Sequence, residues 1–219
     1  MTTLKRSSLN RIYFFDHEDN HSLSQNPLKE FIYFLKFKGG QSNIDFSYSN
    51  LDDTLHCHLS IKDNFILDSI PTSLIKDNEL NLNEFIQSLQ NHFLKDLIVK
   101  LGDLDQPISN LSKEKRKLTS LIKVILSQSK YIFLGNPDEL IGTKDLEQIK
   151  KCIKYEVENN SRVVLIKSVR KMLWPDIVTN IISKDKNSVY TDTPNPLYKK
   201  DQENSSNHSY SFTLNKKVS

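Results

Sequence analysis

Three short runs hold the residue types that could bind or cleave a phosphate ester. Leu111-Ser112-Lys113-Glu114-Lys115-Arg116-Lys117 places a hydroxyl and four cations at the opening of a helical pattern. Gly135-Asn136-Pro137-Asp138-Glu139 directly follows the apolar run Tyr131–Leu134. Asp16-His17-Glu18-Asp19 follows the apolar run Ile12–Phe15. Serine before a helical run is favoured as an N-cap. Four cations crowd a helix start that the macrodipole makes unfavourable for them, so they form either an anion site or, more commonly, a solvated charged face. Cleaving a phosphate ester with water needs a metal held by protein oxygens and a group that orients the water. Gly135 offers no side chain, and Asn136 can hydrogen-bond but cannot accept a proton as a carboxylate does. Asp138 and Glu139 lie beyond Pro137 and fit a cap of the next turn.

Other chemistries have weaker support. In a strand, His56-Cys57-His58 would put both histidines on one face, but two ligands do not complete a metal site. His17, His21 and His92 could contribute only if folding brought them in, so no metal is expected. No Gly-x-Ser-x-Gly elbow marks a hydrolase nucleophile. Cys57 and Cys152 lie far apart and form no disulfide framework, which makes a reducing cytoplasm the default. Lys199, Lys200, Lys216 and Lys217 are too scattered to mark a phosphate or lipid surface.

The elements that must position these residues follow from periodicity. Leu118, Leu121, Ile122, Val124, Ile125 and Leu126 form a wide apolar face behind the 111–117 run. A second helix runs from Lys144 to Val157, followed by the apolar run Val163–Ile166. Short apolar strands alternating with amphipathic helices predict an α/β fold with a mainly parallel sheet flanked by helices. Upstream, Arg11–Phe15 is a strand, Pro27 opens a helix through Phe37, and Asn43–Ser49 alternates as a second strand. Leu82–Leu101 carries Phe85, Ile86, Leu89, Phe93, Leu94, Leu97 and Ile98 on one stripe, with Gly102 as C-cap. Trp174-Pro175 interrupts the segment after Ile166. Ile177–Ser183 and Ser188–Thr191 can close as a hairpin, and residues 196–219 form a flexible tail.

Strand, loop and helix at residues 12–37 is the arrangement of a phosphate loop. Between the strand and Pro27, however, the loop has no glycine and no lysine, and its three acids would repel a triphosphate. The whole chain has only five glycines, few for a nucleotide-binding α/β enzyme. With 219 residues there is room for one domain with a real core, and a net charge of +3 does not argue for nucleic acid. No apolar run approaches the ~20 residues that span a bilayer, and Met1–Asn10 lacks a signal peptide's apolar core.

The stretch from Leu111 to Met172 resembles the second half of an ATP-binding-cassette (ABC) ATPase domain, and the likeness extends over roughly Ile12–Pro196. The family's signature begins Leu-Ser-Gly-Gly-Gln, matched here by Leu111-Ser112-Lys113-Glu114-Lys115. Its next strand ends in Asp-Glu-Pro, the Walker B carboxylates, matched by Gly135-Asn136-Pro137. Its following strand ends near a switch histidine, where Val169 stands. Its phosphate loop (Walker A) belongs at residues 16–27, and its glutamine loop near Ser49-Asn50, where no glutamine occurs. Leu59–Asn64 resembles the run that follows. The resemblance implies a P-loop NTPase-like domain over 1–195, with an inserted helical subdomain at about 65–110.

That resemblance further implies a scaffold without its chemistry, a pseudo-ATPase with no catalytic residues and no ATP or magnesium expected. The compact ATPase subunits of cell-division and lipoprotein-release transporters are the variant it looks most like. In those, a groove receives a cytoplasmic helix of a membrane-embedded permease; here Ser49–Asp68 and Phe85–Ile98 would line it. The protein would then sit on the inner face of the cytoplasmic membrane as an adaptor, as a homodimer, or as the inactive half of a heterodimer with an active ATPase. In the heterodimer Ser112 could face the partner's nucleotide. Two alternatives stay open. One is an active NTPase using Asp16, Glu18, Asp19, Asp138 and Glu139. The other is a nucleic-acid-associated member of the superfamily, although no nucleic acid is expected from the mixed charge.

Overall fold

A computed structural model describes residues 11–16, 29, 32–36, 44–49, 54–69, 82–127, 129–184 and 190–198. Six strands form one sheet in the order β2-β3-β4-β1-β5-β6. They are β1 (Ile12–Phe15), β2 (Phe46–Ser49), β3 (Tyr131–Gly135), β4 (Val163–Lys167), β5 (Asn180–Lys184) and β6 (Tyr190–Pro194). All neighbours are parallel except β5 and β6, which form the closing hairpin. The helical residues 32–36 belong to α1. The other helices are α2 (Ile61–Ser69), α3 (Leu82–Ser88), α4 (His92–Leu101), α5 (Lys113–Leu126) and α6 (Thr143–Asn159).

The central strands are apolar at successive positions because both faces are covered. Ile12, Phe14, Ile132, Leu134, Val164 and Ile166 face the larger core, which they share with α2, α4, α5 and α6. Tyr13, Phe15, Tyr131, Phe133, Val163 and Leu165 face the smaller one with Phe34 and Leu35 of α1. Aromatic edges fill that second face: the Tyr13 and Phe34 rings meet at 5.4 Å, and Phe34 meets Tyr190 at 6.1 Å. On the β2 edge the packing turns polar. Ser47 bonds Ser127, Ser49 bonds Ser120 at 2.9 Å, and Ser120 bonds Thr54 at 2.6 Å.

Several sequence expectations need correction. The single helix over Leu82–Leu101 is two helices, broken at Leu89-Gln90-Asn91. Asn91 ends the continuity by capping α4, accepting from Leu94 N–H at 3.2 Å, while its amide donates to Cys152 O and Glu156 Oε1. The strand expected at His56–His58 is a turn, with Leu59 N–H donating to His56 O, and the two imidazoles cross edge-to-face at 6.2 Å. In Leu59–Asn64, Ser60 receives the Asp63 N–H at 3.0 Å as α2 begins, and buried Asn64 ties back to His56. The hairpin strands are shifted to Asn180–Lys184 and Tyr190–Pro194. Of residues 196–219, Leu197 and Tyr198 hydrogen-bond back to Asn195, and 199–219 lie outside the described residues. Residues 17–28, with the acids Glu18 and Asp19, lie outside them as well.

One buried polar network ties α4, α5 and α6 together. Arg162 donates to Ile125 O, Ser127 O and Ser129 O, the carbonyls at and beyond the end of α5, and pairs with Glu156 at 3.2 Å. Asn91 and Asn160 fill the remaining Glu156 positions. Removing one partner of such a pair strands the other charge in the interior. Arg162→Met should therefore destabilise the fold by about 3–5 kcal/mol in urea titrations, and adding Glu156→Leu should recover much of that loss.

Candidate functional site

The strand order brings three carboxyl ends together. β4 lies between β3 and β1, so Gly135, Lys167 and the β1 end at Phe15-Asp16 stand side by side. From β1 the chain goes to β2 at one edge, and from β4 it crosses to β5 beyond β1. The connections thus diverge between β4 and β1, and open α/β sheets bind ligands outside such a switch point.

Each of these ends is tied into the surrounding fold. Asp16 N–H donates to Ile182 O at 2.8 Å, and its carboxylate pairs with Lys171. The Gly135 carbonyl accepts from Lys117 Nζ at 2.9 Å. Asn136 N–H donates to Lys167 O at 2.6 Å. With φ at +43°, Asn136 occupies the left-handed region, which asparagine tolerates better than most residues. Its side-chain oxygen is buried and has no hydrogen-bond partner among the described residues. Asp138, only 2% exposed, does not cap the next turn as expected: it accepts from Trp174 Nε1 at 3.2 Å and lies 3.8 Å from Arg170. Trp174 is fully buried, with Lys150 Nζ 6.0 Å above its ring. The Trp174-Pro175 interruption is therefore an anchor for the segment after β4.

The 111–117 run is the solvated charged face expected at Ser112–Lys115, whereas Arg116 is half-buried and Lys117 buried. Ser112 is the N-cap, accepting from Lys115 N–H at 3.3 Å. The backbone N–H of its own residue and, after it, the Ser112 hydroxyl lower the pKa of exposed Glu114 from the ordinary carboxylate value. Leu111 is buried, and Lys113 is exposed. Lys115 Nζ reaches Leu101 O, Arg116 reaches Leu111 O and Ser109 O, and Lys117 is buried against Gly135. Three of the four cations thus donate to carbonyls. Val169 is 88% exposed, on a turn in which Ser168 Oγ accepts from Arg170 N–H. Lys167, Arg170 and Lys171 were missed as site residues by sequence reasoning, and Lys117 was singled out only as one of the cations opening α5. Only Lys167, a cation ending an apolar run, carried a visible signal.

No protein-family model matches the chain, and neither does any curated protein sequence. Solved structures do match it in shape. The ATP-binding cassette MJ0796, in a dimeric post-hydrolysis state bound to ADP and Pi, is 12% identical, with 87% of this chain and 88% of that one covered at a TM-score of 0.57. An ATP binding subunit of an ABC transporter is 10% identical, over 84% and 79%, at 0.56. Clostridium perfringens cbiO1, part of the ABC transporter complex cbiONQ, is 13% identical, over 84% and 77%, at 0.52. The chain has the fold of an ABC ATP-binding domain.

Within this ABC fold, Gly135 and Asn136 end β3, Val169 follows β4, and Asp16 follows β1. Among the described residues no three His, Cys, Asp or Glu side chains gather as a metal site. A cleft of ≈ 630 Å³ lies at the opposite sheet edge, lined by Asn91, Ser127, Glu156 and Arg162, whose polar groups already bond one another. The carbonyl contacts of the signature-like run set a direct test. Lys117→Met should cost about 1–3 kcal/mol by leaving the buried Gly135 carbonyl short of a donor. Lys113→Met, at an exposed site, should stay within about 0.5 kcal/mol in the same urea titrations.

Proposed function

We propose that this protein is a catalytically inert ABC-type subunit, an adaptor for a membrane permease or the regulatory partner of an active ATPase. The reading rests on what stands at the carboxyl edge of the sheet. Gly135 presents only a carbonyl, and that is occupied by Lys117. Asn136 presents an amide. Of the acids described there, Asp16 and Asp138 are engaged by Lys171 and by Trp174 and Arg170 respectively, and Glu139 stands half-buried on the loop after β3. No magnesium and no ATP of the usual kind are expected. A single electrostatic or water-positioning group is typically worth about 10²–10⁵ in rate, so several missing together leave no useful hydrolysis. An active enzyme built on Asp16 and Asp138 would first have to break these contacts.

The adaptor role draws support from a cleft of ≈ 450 Å³ bounded by Lys62 of α2, Ile86 of α3 and Ile98 and Val99 of α4. Val99 is 74% exposed at its rim. An amphipathic helix of a membrane subunit would lay its apolar face into such a groove. None of the described helices is itself long and apolar enough to cross a membrane, so attachment to the inner face of the cytoplasmic membrane would come through that partner.

Purified protein with Mg-ATP should show no hydrolysis above background and a Kd weaker than about 100 μM by titration calorimetry. Turnover near about 1 s⁻¹ or faster, in the ordinary enzymatic range, would overturn the reading. For docking, a membrane subunit recovered with wild-type protein from detergent-solubilised membranes should be lost with Val99→Glu.

A further inference from the structure

The face that β5 and β6 turn towards the larger core is covered unevenly. β5 lays Ile181 on that side, in register with Phe14 of β1. Phe14 is 3% exposed, but Ile181 is only half-buried. Opposite Ile181 on β6 stands Thr193, and opposite Ser183 stands Thr191, both exposed. Where this face meets the segment after β4 there is a cavity of ≈ 250 Å³, whose wall includes Phe14, Met172, Trp174, Val178, Ile181 and Leu197. The polar side chains in that wall are already committed. Lys171 pairs with Asp16, and the Asn195 amide donates to Pro175 O and Val178 O. The cavity therefore offers hydrocarbon and aromatic surface, which suits an apolar side chain. Among the described residues its mouth stands open at Met172, 83% exposed, and Leu197, 65% exposed.

The chain leaves the described structure at this same mouth. Leu197 and Tyr198 bond back to Asn195, and residues 199–219 follow in the sequence. Lys199–Ser209 is a run of eleven polar residues. After it, Tyr210, Phe212 and Leu214 alternate with Ser211 and Thr213. In an extended backbone that alternation puts the three apolar side chains on one side. A polar linker of this length has a root-mean-square reach of about 18 Å, enough to turn back onto a mouth that Leu197 itself lines. The tether also holds the segment at an effective concentration in the millimolar range, so a small contact suffices. A second copy of the chain would have no such advantage.

We propose that Tyr210-Ser211-Phe212-Thr213-Leu214 docks on this face of its own chain, its apolar side chains entering the cavity beside Trp174 and Ile181. Docked there, it covers Met172 and Leu197. It also braces the segment after β4, which Asp138 and Lys150 hold from the other side through Trp174. The groove bounded by α2, α3 and α4 is a different surface, so this inference stands apart from the adaptor reading.

The test uses the full chain, because the cavity contains its own probes: the sequence has two methionines, Met1 and Met172, and one tryptophan, Trp174. In NMR spectra, Phe212→Ser combined with Leu214→Ser should move the Met172 methyl and Trp174 indole N–H resonances. A peptide of residues 207–217 added to that variant should move them back. A nitroxide on Ser211→Cys, with exposed Cys57→Ser and with Cys152 buried, should broaden the Met172 methyl signal. The broadening should persist on about tenfold dilution, as a tethered contact requires. Unchanged resonances in the double variant, or a label that leaves Met172 sharp, overturns the proposal. Broadening that disappears on dilution assigns the cavity to a second copy and overturns it as well. If the double variant fails to fold, the spin label decides alone.

Discussion

The position of β4 between β3 and β1 is the constraint from which the rest of the arrangement follows. The chain makes β3 and then β4 as neighbours, but β1, formed more than a hundred residues earlier, has to pair on β4's other side. Val163–Ile166 can occupy that slot because it is apolar on both faces and meets hydrocarbon in both cores. Once it does, the ends of three strands share one edge, and every residue that follows them must find partners there. Asp16, Asp138 and Lys171 each show how that was solved.

A second theme is the use of cations to satisfy carbonyls. Arg162 closes the end of α5, Arg116 holds the turn before it, and Lys117 joins α5 to the tip of β3. In each case a long side chain delivers donors to backbone oxygens that helix or strand geometry leaves open. The basic run that opens α5 is therefore mostly structural cement, with Ser112 as its cap. At Asn136 the left-handed backbone asks for asparagine, and a glutamate there would be strained by about 1–2 kcal/mol. Backbone conformation and side-chain identity agree at that position.

The parts of the fold visible in sequence are those governed by local periodicity. β3, α6, β4 and the Ser112 cap fall where hydrophobic spacing puts them, because a strand buried on both faces and a helix buried on one write different patterns. What stayed hidden depends on residues distant in the chain. Nothing near Asn91 announces that Cys152 and Glu156 will draw it out of a continuous helix. Nothing in the Lys115-Arg116-Lys117 triplet distinguishes the cation that will be buried against Gly135 from its neighbours. Asp138 looked like a turn cap because Trp174, its real partner, arrives only after β4 has crossed the sheet. The ABC resemblance located Gly135, Asn136 and Val169 at the strand ends, but not the lysines that surround them.

The hydroxyl contacts along β2 carry a dynamic consequence. Phe46, Ser47 and Tyr48 are only half-buried, and this border strand meets α5 through Ser47, Ser49, Ser120 and Thr54 instead of interlocking hydrocarbon. Water can replace the part-buried members of this set, Ser47–Ser127 and Thr54–Ser120, at less loss than the packing around β4. The sheet therefore has an unequal grain: a rigid middle and a loosely stitched margin, whose backbone amides should trade protons with solvent well before those of the strands it borders.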